Sequence, residues 1–364
     1  MQIKRLNNIE NLLLIKEAWC KLYLQGNYSI FQSFELNYYS WKYEIEADQR
    51  NKLAVTLITK DKNIVAIFPF YVDSNKCLRF INDLHFDFCD SISIESINFL
   101  EVYNYLKQEV DFKSVKLINI KKEANIYKDL RDINIKNKVE SLISEYSTVS
   151  LDQGNFPYNV PHYRSHQKHR INKAFRDNKE KRSLILDHLK NSFPKKEIIL
   201  LKEEMIRLGI RKESFLTNER LLLIEALYNS GIIILHLMRD KDRINCINIL
   251  LRNSASEFIF WVDLFDDSKT INISSYVNFM KSYSLQRAIV INFGRGRYFY
   301  KSSNFFPEFH ELYQICIFPS KWKKLIFLIV NYLSILFKPM YKKFCGILSV
   351  IIKLFSEKFL IFLR

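Results

Sequence analysis

At 364 residues the chain is longer than one hydrophobic core usually sustains, so two domains of ordinary size are the expectation. Its 48% hydrophobic and 26% charged residues, with only 7 Gly and 7 Pro, exclude a disordered or fibrous chain, and 29 Phe with 20 Tyr can bury large areas. The formal charge of +16 points to polyanionic partners: nucleic acid, anionic lipid, or phosphorylated small molecules such as nucleotide sugars and coenzyme A.

The first residues, MQIKRLNNIENLLLIKEAW, scatter charges among apolar positions and lack the continuous apolar core of an export signal. From Asn8 to Leu24 the apolar residues recur at helical spacing, and FQSFELNYYSWKYEI reads as a second helix. The β-branched and aromatic runs Leu53–Thr59 and Asn63–Val72 flank the turn Lys60-Asp61-Lys62, a hairpin signal. Strands are expected at 78–81 and 114–120 with a helix between them, so residues 1–150 form a mixed α/β half.

Turn formers concentrate in LDQGNFPYNVP, which places a boundary near Ser150, and the strongly basic helix RSHQKHRINKAFR follows. Residues 151–319 then repeat the plan. Helices are expected at 195–209 and 218–229, a three-stranded meander at 232–238, 243–251 and 257–264, a helix at 274–284 and a strand at 288–292. After Pro319 the composition becomes apolar with lysine edges. The runs 325–337 and 344–352 fall short of the ~20 residues that cross a bilayer and are parted by Lys338, Pro339, Lys342 and Lys343. Residues 320–364 are therefore expected to lie on an anionic membrane surface or to pack as a helical hairpin on the protein. Cys20, Cys77, Cys89, Cys246, Cys316 and Cys345 show no metal-ligand spacing and read as free thiols in a reducing cytoplasm.

Several phrases in consistent order carry a family likeness: Phe31-Gln32-Ser33 with Trp41, HFDFCDSISI with Asp90, the basic stretch with Arg164, Lys168, Arg170, Asn172 and Lys173, and INFGRGRYFYKSSNF with Asn292, Gly294, Gly296, Tyr300 and Lys301. Over residues 10–315 the chain resembles the CelD-like (cellulose-biosynthesis-type) acetyltransferases of the GNAT superfamily, which are related in fold to the Fem aminoacyltransferases. The resemblance implies two tandem GNAT-like α/β domains and an acyl-CoA co-substrate such as acetyl-CoA. It also departs from the pattern: Asn292 stands where an acidic residue is common, and no Gly-rich pyrophosphate loop lies between Leu264 and Tyr276.

Acyl transfer to an amine needs a donor held against the acceptor, removal of an amine proton and polarisation of the donor carbonyl. A GNAT fold holds its donor where two central strands splay, which assigns Trp261, Val262 and Asp263, and directs a helix N-terminus at the pyrophosphate, which assigns Ser274 and Ser275. Asp90 orients or deprotonates the acceptor amine, while Asp83 and Asp87 are equally turn residues. Tyr300 and Lys301 complete the catalytic set. Arg164, Lys168, Arg170, Gly294, Arg295 and Gly296 are expected to bind the substrate, the arginines by gripping a diphosphate. His162, His166 and His169 suit acid–base work or a solvated basic face, and no metal is expected. The reading is an acyl-CoA-dependent N-acyltransferase at the inner membrane face, acting on a nucleotide-linked or lipid-linked aminosugar in surface polysaccharide assembly. The alternatives are a Fem-type transferase fed by aminoacyl-tRNA and an inactive scaffold.

Overall fold

The computed structural model describes residues 1–343 apart from 132, 242 and 269. Its spine is an eleven-stranded mixed sheet in the order Arg182–Leu186, Ile233–Asp240, Arg243–Arg252, Glu257–Phe265, Ile289–Arg295, Lys138–Leu151, Glu308–Ile317, Ser114–Ile120, Cys77–Phe80, Phe70–Val72 and Lys52–Leu53. A four-stranded sheet of Gln2–Leu6, Val55–Lys60, Asn63–Phe68 and Ile92–Ser93 branches from it at Ala54 and Pro69. The expected hairpin turns through Asp61 and Lys62, both in the left-handed region (φ 48° and 66°) that suits the twist of a tight hairpin.

At the middle of the long sheet the two halves exchange strands. Lys138–Leu151 from the first half ends paired antiparallel to Ile289–Arg295, with Leu151 opposite Ile289. Glu308–Ile317 from the second half pairs antiparallel to Ser114–Ile120, with Tyr313 opposite Ile120. The same two strands pair with each other from Thr148↔Glu308 to Lys138↔Ile317. Ser150, where the sequence places its boundary, is therefore the penultimate residue of a strand that both halves use. One apolar core also runs through both, uniting Phe68, Phe99 and Leu117 with Leu223, Ile247 and Leu264.

The helices repeat in the two halves. Phe34–Ser40, continued by a π-turn at Trp41–Ile45, packs against its counterpart Asn218–Asn229. There Arg220 Nε meets Glu44 Oε1 at 2.9 Å, and burial lowers the Arg220 pKa to about 10. Asn218–Asn229 begins where its Thr217 cap accepts from the Arg220 amide. Beyond Pro319 a helix runs from Lys321 to Lys343 and continues past Pro339, where the sequence reading placed a break. Phe327 packs on Phe318 with ring centroids 5.0 Å apart, whereas Trp322, Leu325, Ile329, Val330 and Tyr332 are exposed. No helix among the described residues is long and apolar enough to cross a membrane. The apolar run 344–352 and Cys345 lie outside the described residues.

Candidate active site

In the second half the parallel strands Glu257–Phe265 and Ile289–Arg295 pair only at Glu257↔Val290, Phe258↔Ile291 and Ile259↔Asn292, and then part. A bulge contributes to the divergence. Ile249 faces Val262 and Leu250 faces Phe260, which leaves Trp261 as the extra residue. Trp261, Val262 and Asp263 are half-buried along the free stretch, where the sequence placed the donor. The Trp261 indole donates to His85 O at 3.1 Å, and the Arg220 guanidinium lies 5.2 Å from its ring. Asp263 accepts from Asn248 Nδ2 at 2.8 Å and from the Tyr276 hydroxyl, and burial raises its pKa. Tyr276 stacks on Tyr300 at 6.1 Å, and burial raises the Tyr300 pKa.

The opposite side of the splay is the turn Gly294-Arg295-Gly296. Gly294 has φ +67°, and a Cβ there would meet Asp87 Oδ2 at 2.6 Å, so both backbone conformation and space require glycine. Arg295 Nε donates to Asp87 Oδ1 at 2.9 Å and its Nη2 donates to Leu84 O at 2.8 Å. A first-half loop thus latches onto the second-half splay. Lys301, expected as a catalytic group in an open cleft, is 1% exposed and donates to Gly294 O, Arg295 O and Gly296 O at 3.0–3.1 Å. Its three protons are spent on holding the turn, which makes it a positioning residue. Burial lowers its pKa to about 8, with Asp87 and Asp263 partly opposing the shift.

The two serines expected to face the pyrophosphate do not stand at a helix tip. The helix starts at Ile271, so Ser274 and Ser275 lie inside it and not at its tip, and Thr270 in the left-handed region precedes it without a side-chain cap bond. Both serines are 0% exposed. Ser274 donates to Ala174 O and accepts from Asn178 Nδ2 at 2.8 Å, while Ser275 donates to Asn248 Oδ1 and sits 2.9 Å from His236 Nδ1. The helix Ser165–Arg176 packs across this helix through its buried Gln167, Ile171 and Ala174. Its outer face carries the exposed Arg164 and Arg170; Arg170 is tied to Ser303 O at 2.7 Å, and the Lys168 ammonium lies 5.5 Å from the Tyr158 ring. His162, His166 and His169 are exposed on the same stretch.

A cleft of about 530 Å³ lies in the first half, and its walls include Tyr28, Gln32, Phe88, Asp90, Lys121 and Lys128. Asp90 Oδ1 accepts from the amides of Ser91 at 2.8 Å and Ile126 at 2.9 Å, and Oδ2 accepts from Asn125 at 3.0 Å. A carboxylate offers about four lone-pair positions, so one on Oδ2 stays free for a ligand. Burial outweighs those bonds and pushes the Asp90 pKa up to about 7, well placed for proton transfer. Lys121 was not singled out in the sequence. It follows the strand Ser114–Ile120 directly, at the carboxyl end where α/β folds open their crevices, and KKE at such an end was the available signal. Its ammonium stands 4.1 Å from the Phe88 ring centroid and 4.9 Å from that of Tyr146, and burial lowers its pKa. Asp87 at the latch and Asp90 in the cleft are three residues apart, a span of at most ~11 Å even in extended chain. One loop therefore borders both places.

No family model and no curated protein matches the chain. Solved structures do share its fold. A chain named as the C-terminal domain of a lysylphosphatidylglycerol synthetase of Agrobacterium fabrum is 10% identical with TM-score 0.56, covering 89% of this chain and 97% of its own. L-PGS from Bacillus licheniformis is 11% identical at 0.54, covering 87% and 95%, and FemX is 9% identical at 0.54, covering 90% and 100%. The protein thus shares its mixed α/β fold with these chains over nearly their whole length.

Proposed function

We propose that the protein transfers an acyl group from an activated carrier to an amine seated at Asp90. The observation that carries this reading is the loop from Asn82 to Asp90, which meets the splayed strands at Asp87 and lines the cleft with a carboxyl poised near neutrality. In the step, the amine nitrogen attacks the donor carbonyl carbon and the amide C–N bond forms. Asp90 Oδ2 takes the amine proton, the carrier C–S or C–O bond breaks, and the proton passes to the departing thiol or hydroxyl. Backbone amides of the free stretch at Trp261–Asp263 are the candidates to face the developing oxyanion.

Acetyl-CoA or another acyl-CoA remains the donor implied by the CelD-like resemblance, with a nucleotide-linked or lipid-linked aminosugar as acceptor. One observation favours a second donor. Ser274 and Ser275 are buried inside the helix and cannot serve a CoA pyrophosphate, whereas the phosphates of an aminoacyl-tRNA would meet the exposed Arg164 and its neighbours. FemX and L-PGS share the fold, which agrees with this choice. The helix Lys321–Lys343, with lysines beside exposed Trp322 and Leu325, would hold the enzyme at an anionic membrane surface.

Purified full-length protein incubated with labelled acetyl-CoA or labelled aminoacyl-tRNA, and a panel of amines, tests the reading. Asp90→Asn should cut transfer by about 100-fold and remove the rise in rate as Asp90 ionises near pH 7. Wild-type rates in Asp90→Asn, or no transfer from either donor, would refute it.

A further inference from the structure

The cleft holds two polar groups with unspent capacity beside the free lone pair of Asp90. Among the described residues, no hydrogen bond or ion pair engages Lys121 Nζ; the flat faces of Phe88 and Tyr146 flank it and leave its N–H groups without an acceptor. Ser29 Oγ, in the same lining, is buried without a partner. A half-buried ammonium held between rings is costly unless an anion answers it. Tyr28, by contrast, is saturated: it donates to Ser93 O at 2.7 Å and accepts from the Ser93 amide at 2.9 Å. Gln32 is likewise fixed by its bond to Phe88 O at 3.0 Å. These groups shape the wall, while Lys121, Ser29 Oγ and the free lone pair of Asp90 are left to recognise a ligand.

We infer that the cleft selects an amine that carries an anionic group close by, the amine at Asp90 and the anion at Lys121 and Ser29. This deepens the acyl-transfer reading and rests on it for the role of the amine. A carboxylate or a phosphate would satisfy Lys121 equally, so the shared chemistry is a zwitterion, and the cleft volume of about 530 Å³ leaves room for it to be one end of a larger acceptor. Lys128 at the same wall adds a second positive charge, and Glu257, Glu123 and Asp90 partly oppose the lowering of the Lys121 pKa by burial.

Calorimetry on the full chain, with alanine, phosphoethanolamine and ethanolamine as probes, tests this. Alanine or phosphoethanolamine should bind more tightly than ethanolamine, and whichever of the two binds better identifies the anion. Lys121→Met, which keeps the apolar stem between the rings, should weaken that zwitterion by about 10- to 100-fold, as loss of a charged hydrogen bond does, and leave ethanolamine unchanged. Lys121→Arg should restore most of the affinity. Ethanolamine binding as tightly as the zwitterions, zwitterion affinity surviving in Lys121→Met, or no binding of any probe would overturn the inference. Acyl transfer to ethanolamine as fast as to the zwitterions would sink the inference alone and leave the transfer reading standing.

Discussion

Each half of the molecule contains a parallel strand pair that begins bonded and then parts, yet the two gaps are filled differently. In the first half, Cys77–Phe80 and Ser114–Ile120 pair only at Cys77↔Ser114 and Leu78↔Val115, and the gap beyond is filled from within. Asn119, in the left-handed region at φ 60°, donates to Asp83 O at 2.7 Å and Phe86 O at 2.9 Å, and its carbonyl accepts from the Cys89 amide at 2.9 Å. In the second half the gap is left to the same loop reaching across, through Asp87 to Arg295 and His85 O to Trp261. The first bonds are almost wholly buried, whereas Arg295 is 27% exposed. One gap is thus closed as structure, and the other is bridged by a latch that solvent can reach.

The contrast can be broken from either side. The largest effect should come from Lys301→Met, which strips three buried carbonyls of their donor and should cost about 3 kcal/mol in urea unfolding; a loss below about 1 kcal/mol would mean that the turn holds itself. The same lysine gives a signed pH test. Its folded pKa of about 8 lies below the 10.5 of a free lysine, so between these values the unfolded chain carries more protons and wild-type stability rises with pH relative to the variant. Asn119→Ala should come next, at about 2 kcal/mol of stability. Arg295→Ala combined with Asp87→Asn, which removes both charges so that neither is left buried alone, should cost under about 1 kcal/mol while changing donor use. Equal stability losses from these two would erase the distinction between filler and latch. The smallest effect on either gap should come from the helix beyond Pro319. Trp322→Glu with Leu325→Glu should leave unfolding unchanged and abolish flotation with anionic vesicles at low salt, and wild-type protein that stays unbound would refute membrane contact.

Much of this frame was legible in the residues. The helix Asn218–Asn229 and the strands of the second-half meander fall within a residue or two of their expected ends, because apolar spacing and turn residues agree there. The exchange was not legible. Lys138–Leu151 is broken up by four Ser and two Glu and Glu308–Ile317 by two Glu and a Gln, and neither was read as a strand; their pairing, from Thr148↔Glu308 to Lys138↔Ile317, is a long-range property that no local pattern reports. The site divides the same way. Asp90, singled out by family resemblance, lines the cleft, while Ser274 and Ser275 are buried because helix tips are the least certain part of a periodic pattern, and three residues moved them from surface to core. Lys301 was recognised as special for the wrong reason, since burial, and not exposure, sets its role.

The crossed strands also govern the order in which this protein can be made. A ribosome releases residues 1–150 long before Glu308–Ile317, yet Ser114–Ile120 has its antiparallel neighbour only when that last strand arrives. Until then the nascent first half presents an open strand edge, and Tyr127 and Tyr146 lack the ring partners Tyr313 and His310 that they later meet. Synthesis should therefore pass through a long interval in which about 300 residues wait on the final ten of the sheet. A truncation before Glu308 should leave both halves incomplete at once, where ordinary tandem domains would lose only the second.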